Sequence, residues 1–149
     1  MAQRHMFADR YYDVLIALAD AAIQFVVTGG VAVALHGFDR QVPDLDIVAD
    51  PTVDNLNSLM TCLFDLGFVS TLPLPLSMVV VLRTMDAAGR EVDINRIYSI
   101  PFHQLNERAI RVPIHGRNIS VIGRNDLITV KESRGRDYDR VDVQLLKRF

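Results

Sequence analysis

The chain has a single cysteine, Cys62, among its 149 residues. A lone thiol excludes an internal disulfide and a thiolate metal cluster, and we expect Cys62 to be a core residue. No apolar run reaches the roughly 18 residues that a membrane-spanning helix needs. The first residues, MAQRHMFADRYYD, have no apolar signal core after their basic side chains, which argues against export. We therefore expect a reduced, cytoplasmic setting.

Repeats, low-complexity segments and linkers that would separate two domains are also absent from the sequence. Half of the residues are hydrophobic and 23% are charged, which is typical of a globular protein. The length is about that of one ordinary domain, and it is sufficient to bury a real core. We therefore predict a single domain over residues 1–149.

The small net charge of −2 conceals an uneven distribution. Residues 1–100 carry a net charge of −6, whereas residues 101–149 carry +4. Such a division suits a site where metal-binding carboxylates face phosphate-binding cations. A mixed, solvated surface is the simpler interpretation, and charge alone favours it.

The pattern of apolar residues predicts helices interleaved with short strands and hairpins. Helical spacing occurs in FADRYYDVLIALADAAI, TVDNLNSLMTCLFDLG and FHQLNERA, and in two pieces of the C-terminal segment joined around Gly135. QFVVT and DLDIVAD are predicted strands, and a short helix begins at Gly29-Gly30. MVVVLRTMDAAGREVDINRI and IRVPIHGRNISVIG are predicted hairpins. This alternation predicts an α/β (α+β) fold with a mixed sheet flanked by helices.

Two aspartates, Asp44 and Asp46, lie on the predicted strand DLDIVAD. Residues i and i+2 of a strand point to the same face, so both carboxylates project together. A buried pair of like charges is costly unless a proton or a cation is shared. Asp93 lies on the polar face of another predicted strand and supplies a third carboxylate. Oxygen-only ligands favour magnesium or manganese over zinc, so the sequence predicts a site for one of these ions.

The glycine pair Gly29-Gly30 separates a strand from the start of a helix. Free backbone amides and the helix dipole attract phosphate at such a position. Because glycine has no side chain, a nucleotide's phosphates can approach the backbone closely. The alternative is that these glycines only form a tight turn between strand and helix.

These motifs together resemble the nucleotidyltransferase (DNA polymerase β-like) superfamily, in particular its small bacterial stand-alone members. The glycine pair is followed, after thirteen residues, by Asp-Leu-Asp-Ile, and VDIN places a third aspartate on a later strand. The ending NDLITVKESRGRDYDRVDVQLL resembles the C-terminal helices of the small members. The resemblance extends from about Phe25 to Leu146 and implies a minimal nucleotidyltransferase fold.

The resemblance also implies a role for each motif. Asp44 and Asp46 would bind both metal ions, and Asp93 would bind the catalytic ion and help to activate the acceptor hydroxyl. The triphosphate would lie against Gly29 and Gly30. Two cations complete the implied site as phosphate contacts, namely Lys131 on a C-terminal helix and Arg40 in the loop before the metal strand.

The implied reaction is magnesium-dependent transfer of a nucleoside monophosphate from a nucleoside triphosphate, such as ATP, to an acceptor, with release of pyrophosphate. Small members resemble toxins of toxin–antitoxin pairs and antibiotic-modifying enzymes, whose acceptors include tRNA ends, protein side chains and drug hydroxyls. In so short a chain, the acceptor would be held by an antitoxin or helical partner protein, or by a second copy in a homodimer. The alternative is a non-catalytic nucleotide- or partner-binding module with the same fold.

Departures from the family pattern leave the nucleotide preference open. The second glycine replaces a serine that many members use, and Arg40-Gln-Val-Pro replaces the Arg-x-Thr found in small relatives.

Simpler alternatives also exist for individual residues. Asp93 would be an exposed residue paired with Arg90 or Arg96, and Lys131 would be solvated. His36 is predicted to be a packed or capping histidine rather than a ligand. RGRDYDR is interpreted as a solvated charge run, with contacts of Arg134 and Arg136 to RNA or a nucleotide as the alternative.

Overall fold

A computed structural model describes residues 8–72 and 78–148 of the chain. Its seven strands form one mixed sheet in the order β3-β4-β5-β2-β1-β7-β6. The strands are β1 Phe25–Thr28, β2 Asp44–Ala49, β3 Val69–Ser70, β4 Val81–Met85, β5 Glu91–Asn95, β6 Ile110–Ile114 and β7 Arg117–Val121.

Six helices accompany the sheet, and a short 3₁₀ segment, Ala8–Tyr11, precedes the first of them. The helices are α1 Tyr12–Asp20, α2 Gly29–Leu35, α3 Val53–Asp65, α4 Phe102–Arg108, α5 Arg124–Arg134 and α6 Asp137–Arg148. The prediction of an α/β fold with a mixed sheet and flanking helices is confirmed.

Two expectations concern parts of the chain that the structure describes incompletely. The opening segment that argues against export lies mostly outside the described residues, and the single domain over residues 1–149 stays a prediction. Among the described helices, none is both long enough and apolar enough to cross a membrane.

The centre of the sheet places four polar residues in one cross-strand row. Strand β2 is antiparallel to β1 and pairs Thr28 with Asp46, and it is parallel to β5 and pairs Asp46 with Asp93. Strand β4 is antiparallel to β5 and pairs Arg83 with Asp93. Directly paired residues project from the same face of a sheet, so this row is a polar stripe across four strands.

The opposite face of the same strands belongs to the hydrophobic core. Leu45, Ile47, Val92 and Ile94 alternate with the acidic residues, and each of the four has no exposed surface. Burying side chains of this size contributes roughly 1.5–3 kcal/mol each. A slip of one residue in either strand would exchange carboxylates for these apolar groups, so core burial specifies the register that places the acids.

Candidate active site

Three carboxylates converge on the polar face of the sheet. Asp44, Asp46 and Asp93 each offer one oxygen atom, and these three atoms lie within 4.8 Å of one another. Asp93 is 4% exposed, and the other two are half-buried. The parallel pairing of β2 with β5 brings the third acid to the first two. The structure thus brings together the three residues that were predicted as metal ligands.

The pKa values of all three groups are raised. Burial, followed by the charges of Asp44 and Glu91, raises the pKa of Asp46 to about 7. Burial also raises the pKa of Asp93, with further contributions from Asp46 and Glu91. For Asp44, burial raises the pKa, and the charge of Glu91 adds to the effect. Two full charges about 5 Å apart repel by about 3 kcal/mol at an effective dielectric constant of about 20, so the cluster needs protons or cations.

Arg83 is the cation beside Asp93, a contact that no pattern in the sequence indicates. Its Nε lies 3.3 Å from Oδ1 of Asp93 and 3.1 Å from Oε2 of Glu91. The alternative in which Asp93 is exposed and paired with Arg90 or Arg96 is wrong, because both arginines bond to other groups. The sequence did not indicate Arg83, because a turn over residues 86–89 would place Leu82 opposite Asp93, whereas the observed turn is one residue longer and is closed by the bond from the amide of Asp86 to the carbonyl of Arg90.

Gly29 is required by the position of Asp46. Its φ is +69°, a left-handed conformation that a side chain disfavours, and a Cβ added there would overlap Oδ2 of Asp46. Gly30 differs, because the atoms nearest to an added Cβ lie 3.7 Å away, at ordinary van der Waals distance. The first glycine therefore lets a carboxylate lie against the strand-to-helix turn, whereas the second only leaves space.

These elements line a cavity of about 380 Å³, called here the cationic cavity. Every predicted site residue contributes to it: Gly29, Gly30, Arg40, Asp44, Asp46, Asp93 and Lys131. Four further side chains with charge or an aromatic ring also line it, namely Arg83, Arg134, Arg136 and Tyr138. The excess of cations in the wall favours a polyanionic ligand.

Lys131 is buried, so the solvated interpretation is wrong. The residue is 2% exposed, and its Nζ lies 3.0 Å from Asp142 and 3.5 Å from Asp139. Its charge also acts to lower the pKa of Asp46, against the larger effect of burial. Lys131 therefore lies in the cavity wall with its orientation set by two carboxylates of α6.

Asp142 also orients Arg40. Nε of Arg40 donates to Oδ1 of Asp142 at 3.0 Å, and Nη2 donates to Oδ2 at 3.3 Å. Asp142 thus connects the loop before β2 to α5 and α6, a role that was not predicted from the sequence. The spacing of Asp139 and Asp142 was its only signal, since residues three apart share a helix face.

The segment RGRDYDR is only partly the solvated run that was predicted. Asp139 has no exposed surface and accepts a hydrogen bond from Nε of Arg136 at 2.7 Å. The guanidinium of Arg136 lies 4.4 Å from the ring centroid of Tyr138, in a cation–π contact. The side chains of Arg134 and Arg136 are 41% and 42% exposed, so they form a semi-exposed rim of the cationic cavity.

Two other residues behave as packed groups, as predicted. Nε2 of His36 donates to the carbonyl of Ile122 at 2.8 Å, and burial lowers the pKa of the imidazole. Cys62 is partly buried against the hydrophobic core. Neither residue lines the cationic cavity.

Solved structures share this fold at low sequence identity. The lincosamide antibiotic adenylyltransferase LnuA, bound to lincomycin, matches with a TM-score of 0.72 and 17% identity over 93% of this chain and 95% of that one. A Thermotoga maritima protein assigned to the nucleotidyltransferases matches with a TM-score of 0.66 and 19% identity over 97% and 96% of the two chains. ANT(2'')-Ia in complex with adenylyl-2''-tobramycin matches with a TM-score of 0.66 and 15% identity over 98% and 88%.

Sequence comparison adds the family. A search of curated proteins gives no match. A family model described as nucleotidyltransferase of unknown function matches residues 8–147, which is nearly the whole chain. The prediction of a nucleotidyltransferase is confirmed at this level, and the chain belongs to the family of nucleotidyltransferases of unknown function (DUF6036).

Proposed function

We propose that this protein transfers a nucleoside monophosphate from a nucleoside triphosphate, such as ATP, to an acceptor hydroxyl and releases pyrophosphate. The observation that carries the proposal is the cationic cavity, in which three convergent carboxylates adjoin a glycine turn and a wall of cations. Nucleotidyl transfer needs both parts, because the triphosphate must be held and its charge neutralised at the reacting phosphorus.

The carboxylates fit a divalent metal ion of the magnesium or manganese type. Asp44, Asp46 and Asp93 offer only oxygen donors, they converge within one ion's reach, and their pKa values are raised by burial and mutual repulsion. When bound there, such ions supply Lewis-acid stabilisation of the charge on the transferred phosphoryl group.

The chain's own groups would hold the triphosphate. Gly30 leaves the backbone open to the phosphates where β1 meets α2, and Gly29 lets Asp46 lie against the same turn. Arg40 and Lys131 present positive charge from the opposite wall, and Asp142 restricts the motion of both. Since these cations are already oriented, little side-chain entropy is lost when the phosphates bind.

In the transfer step, the acceptor oxygen forms a bond to the α-phosphorus of the nucleotide. The bond from that phosphorus to the α–β bridging oxygen breaks, and pyrophosphate leaves with the bonding electron pair. The acceptor's proton passes to the carboxylate of Asp93, which lies at the junction of the carboxylate cluster and Arg83.

Two biological roles are compatible with this proposed reaction. The similar structures include an adenylyltransferase bound to lincomycin and another bound to adenylylated tobramycin, which supports a small-molecule acceptor. The toxin of a toxin–antitoxin pair, with an RNA or protein acceptor and an antitoxin or homodimer partner, is the other role. Expression in a bacterial host separates them, because a toxin arrests growth in a way that Asp46→Asn abolishes.

Incubation with α-labelled nucleoside triphosphates, magnesium and a cell extract tests the proposed reaction. We expect pyrophosphate release and a labelled acceptor with the wild type and neither with Asp46→Asn. Asp54→Asn is the matched control, since Asp54 is exposed on α3 outside the cavity. Thermal stabilisation by magnesium-ATP without pyrophosphate release would instead indicate a non-catalytic nucleotide-binding module. Failure of both would contradict the proposal.

A further inference from the structure

A second cavity, of about 400 Å³, adjoins the cationic cavity. The two share Asp46, Asp93 and Arg134, so the carboxylates lie between them. The rest of its lining is apolar or neutral, including Val81, Ile97, Val130, Asn95, Ser99 and Ser133. We call it the neutral cavity.

The two cavities extend in opposite directions along the strands. The cationic cavity continues toward Pro43 and Asp44, at the start of β2. The neutral cavity continues toward Val81 and Asn95, which form the next cross-strand pair on the same face beyond Asp93. Two residues along a strand span roughly 7 Å, so the neutral cavity begins one side-chain row past the carboxylates.

This arrangement meets the geometric demand of phosphoryl displacement. The attacking oxygen and the leaving pyrophosphate lie roughly in line on opposite sides of the phosphorus. If the phosphates occupy the cationic cavity, the acceptor hydroxyl must come from the other side of Asp46 and Asp93. The neutral cavity contacts both of these residues from that side.

The lining indicates what kind of acceptor fits. Among the described residues that line the neutral cavity, one is a cation, Arg134, and two are acids, Asp46 and Asp93. RNA would require several cations for its phosphates, and a polyamine would require additional carboxylates. A volume of about 400 Å³ lies in the range of small-molecule pockets.

Hydrogen-bonding groups of this cavity are held by intramolecular bonds. Nδ2 of Asn95 donates to the carbonyl of Ile47 at 3.0 Å, which fixes the direction of its amide. The hydroxyls of Thr28 and Tyr98 are 2.9 Å apart and bond to each other. Burial raises the pKa of Tyr98 to about 12, so this hydroxyl stays neutral. Fixed neutral groups between apolar walls suit a ligand that carries hydroxyls on an apolar frame.

We propose that the neutral cavity is the acceptor subsite, and that the acceptor is a small hydroxylated molecule with little or no net charge. This inference rests on the proposed nucleotidyl transfer. The acceptor's apolar frame packs against Val81, Ile97 and Val130, while Asn95 and Ser133 orient its hydroxyls. One hydroxyl then lies beside Asp93, ready to lose its proton.

The test fills the neutral cavity without touching the cationic one. Ser133→Trp and Ile97→Trp change residues that line the neutral cavity but not the cationic cavity. Ser133 lies on the surface of α5 and Ile97 is 52% exposed, so neither change disturbs the core. Asn125→Trp is the control, because Asn125 is exposed on the same helix and lines neither cavity.

Each variant is incubated with magnesium and α-labelled ATP, with either the ultrafiltrate or the retained macromolecules of a cell extract as the acceptor source. We expect a labelled small product from the ultrafiltrate, and a loss of about 100-fold in both filled variants. Thermal stabilisation by magnesium-ATP should stay at the wild-type level in all three variants.

Two results would overturn the acceptor assignment while leaving nucleotidyl transfer intact. One is transfer of the label to RNA or protein in the retained fraction, and the other is unchanged transfer in both filled variants. If neither fraction is labelled and no pyrophosphate is released by the wild type, the proposed function fails and the acceptor subsite fails with it.

Discussion

The two walls of the cationic cavity are built in different ways. On the sheet wall, Asp44, Asp46 and Asp93 are positioned by backbone pairing, so their separation follows from strand register. The opposite wall, called here the helical wall, consists of Lys131 on α5 and Arg40 in the loop before β2. Both are positioned by side-chain contacts with Asp142 on α6. Backbone register tolerates a change of side chain, whereas an ion-pair network depends on every member. Substitutions on the sheet wall should therefore reduce activity without destabilising the fold. Substitutions on the helical wall should reduce both activity and stability.

Substitution of a sheet-wall acid should have the largest effect on activity and little effect on folding. Asp46→Asn removes a charged metal ligand, and we expect a decrease of about 1,000-fold or more in pyrophosphate release. The variant should unfold at the same temperature as the wild type or higher in the absence of metal, because one like charge is removed. Calorimetry and a pyrophosphate assay measure the two effects. A large decrease in the unfolding temperature would contradict register-based positioning.

Substitution of a helical-wall acid should instead decrease stability. Asp142→Asn leaves the 2%-exposed Lys131 with only one carboxylate and weakens the hold on Arg40, so we expect a loss of about 3 kcal/mol. Chemical denaturation measures the change in the free energy of unfolding. Adding Lys131→Met should cost less than the sum of the two single substitutions, because each of them removes the same ion pair. Independent, additive effects of the two substitutions would rule out the network.

The two glycines of the turn between β1 and α2 should differ in how well they tolerate a side chain. Gly29→Ala forces a Cβ into Oδ2 of Asp46 at a φ of +69°, so we expect a loss of about 2 kcal/mol together with reduced activity. Gly30→Ala lies within α2 at ordinary contact distances and should be neutral or slightly stabilising. Denaturant midpoints of the two variants measure the difference. Equal destabilisation would show that the overlap with Asp46 does not decide the choice of glycine.

The smallest effect should come from an exposed ion pair between the same two helices. Lys147 and Glu132 approach to 3.1 Å, almost the distance between Lys131 and Asp142, but their side chains are 57% and 51% exposed. Glu132→Gln should therefore change the free energy of unfolding by less than about 0.5 kcal/mol, because solvent screens the pair. A cost similar to that of Asp142→Asn would mean that burial does not distinguish the two pairs.

The positions of the sheet-wall acids were predictable because they follow from short, local sequence patterns. Alternation within DLDIVAD and VDIN places the acids on one face, and the glycine pair marks the turn beside them. Their convergence required only that two short strands be neighbours. Arg83 was not predictable in this way, since its position opposite Asp93 depends on a hairpin turn one residue longer than the pattern indicates.

The helical wall was less predictable because it depends on distant packing. The burial of Lys131, and its pairing with Asp139 and Asp142, arise from how α6 docks against α5. Nothing in the local pattern of RGRDYDR distinguishes a buried aspartate from a solvated one. The bond between Arg40 and Asp142 joins positions 102 residues apart, beyond any periodicity argument.

The parallel pairing of β2 with β5 also bears on the order in which the chain folds. Asp46 and Asp93 are separated by 47 positions, and α3, β3 and β4 lie between them in the chain. Contacts of such long range form late, since loop closure must precede them. We therefore expect the carboxylate cluster to be absent from any chain in which β2 and β5 have not yet paired. A nascent or partly unfolded chain would then have little affinity for divalent ions. Binding of such an ion would therefore indicate that the chain has finished folding.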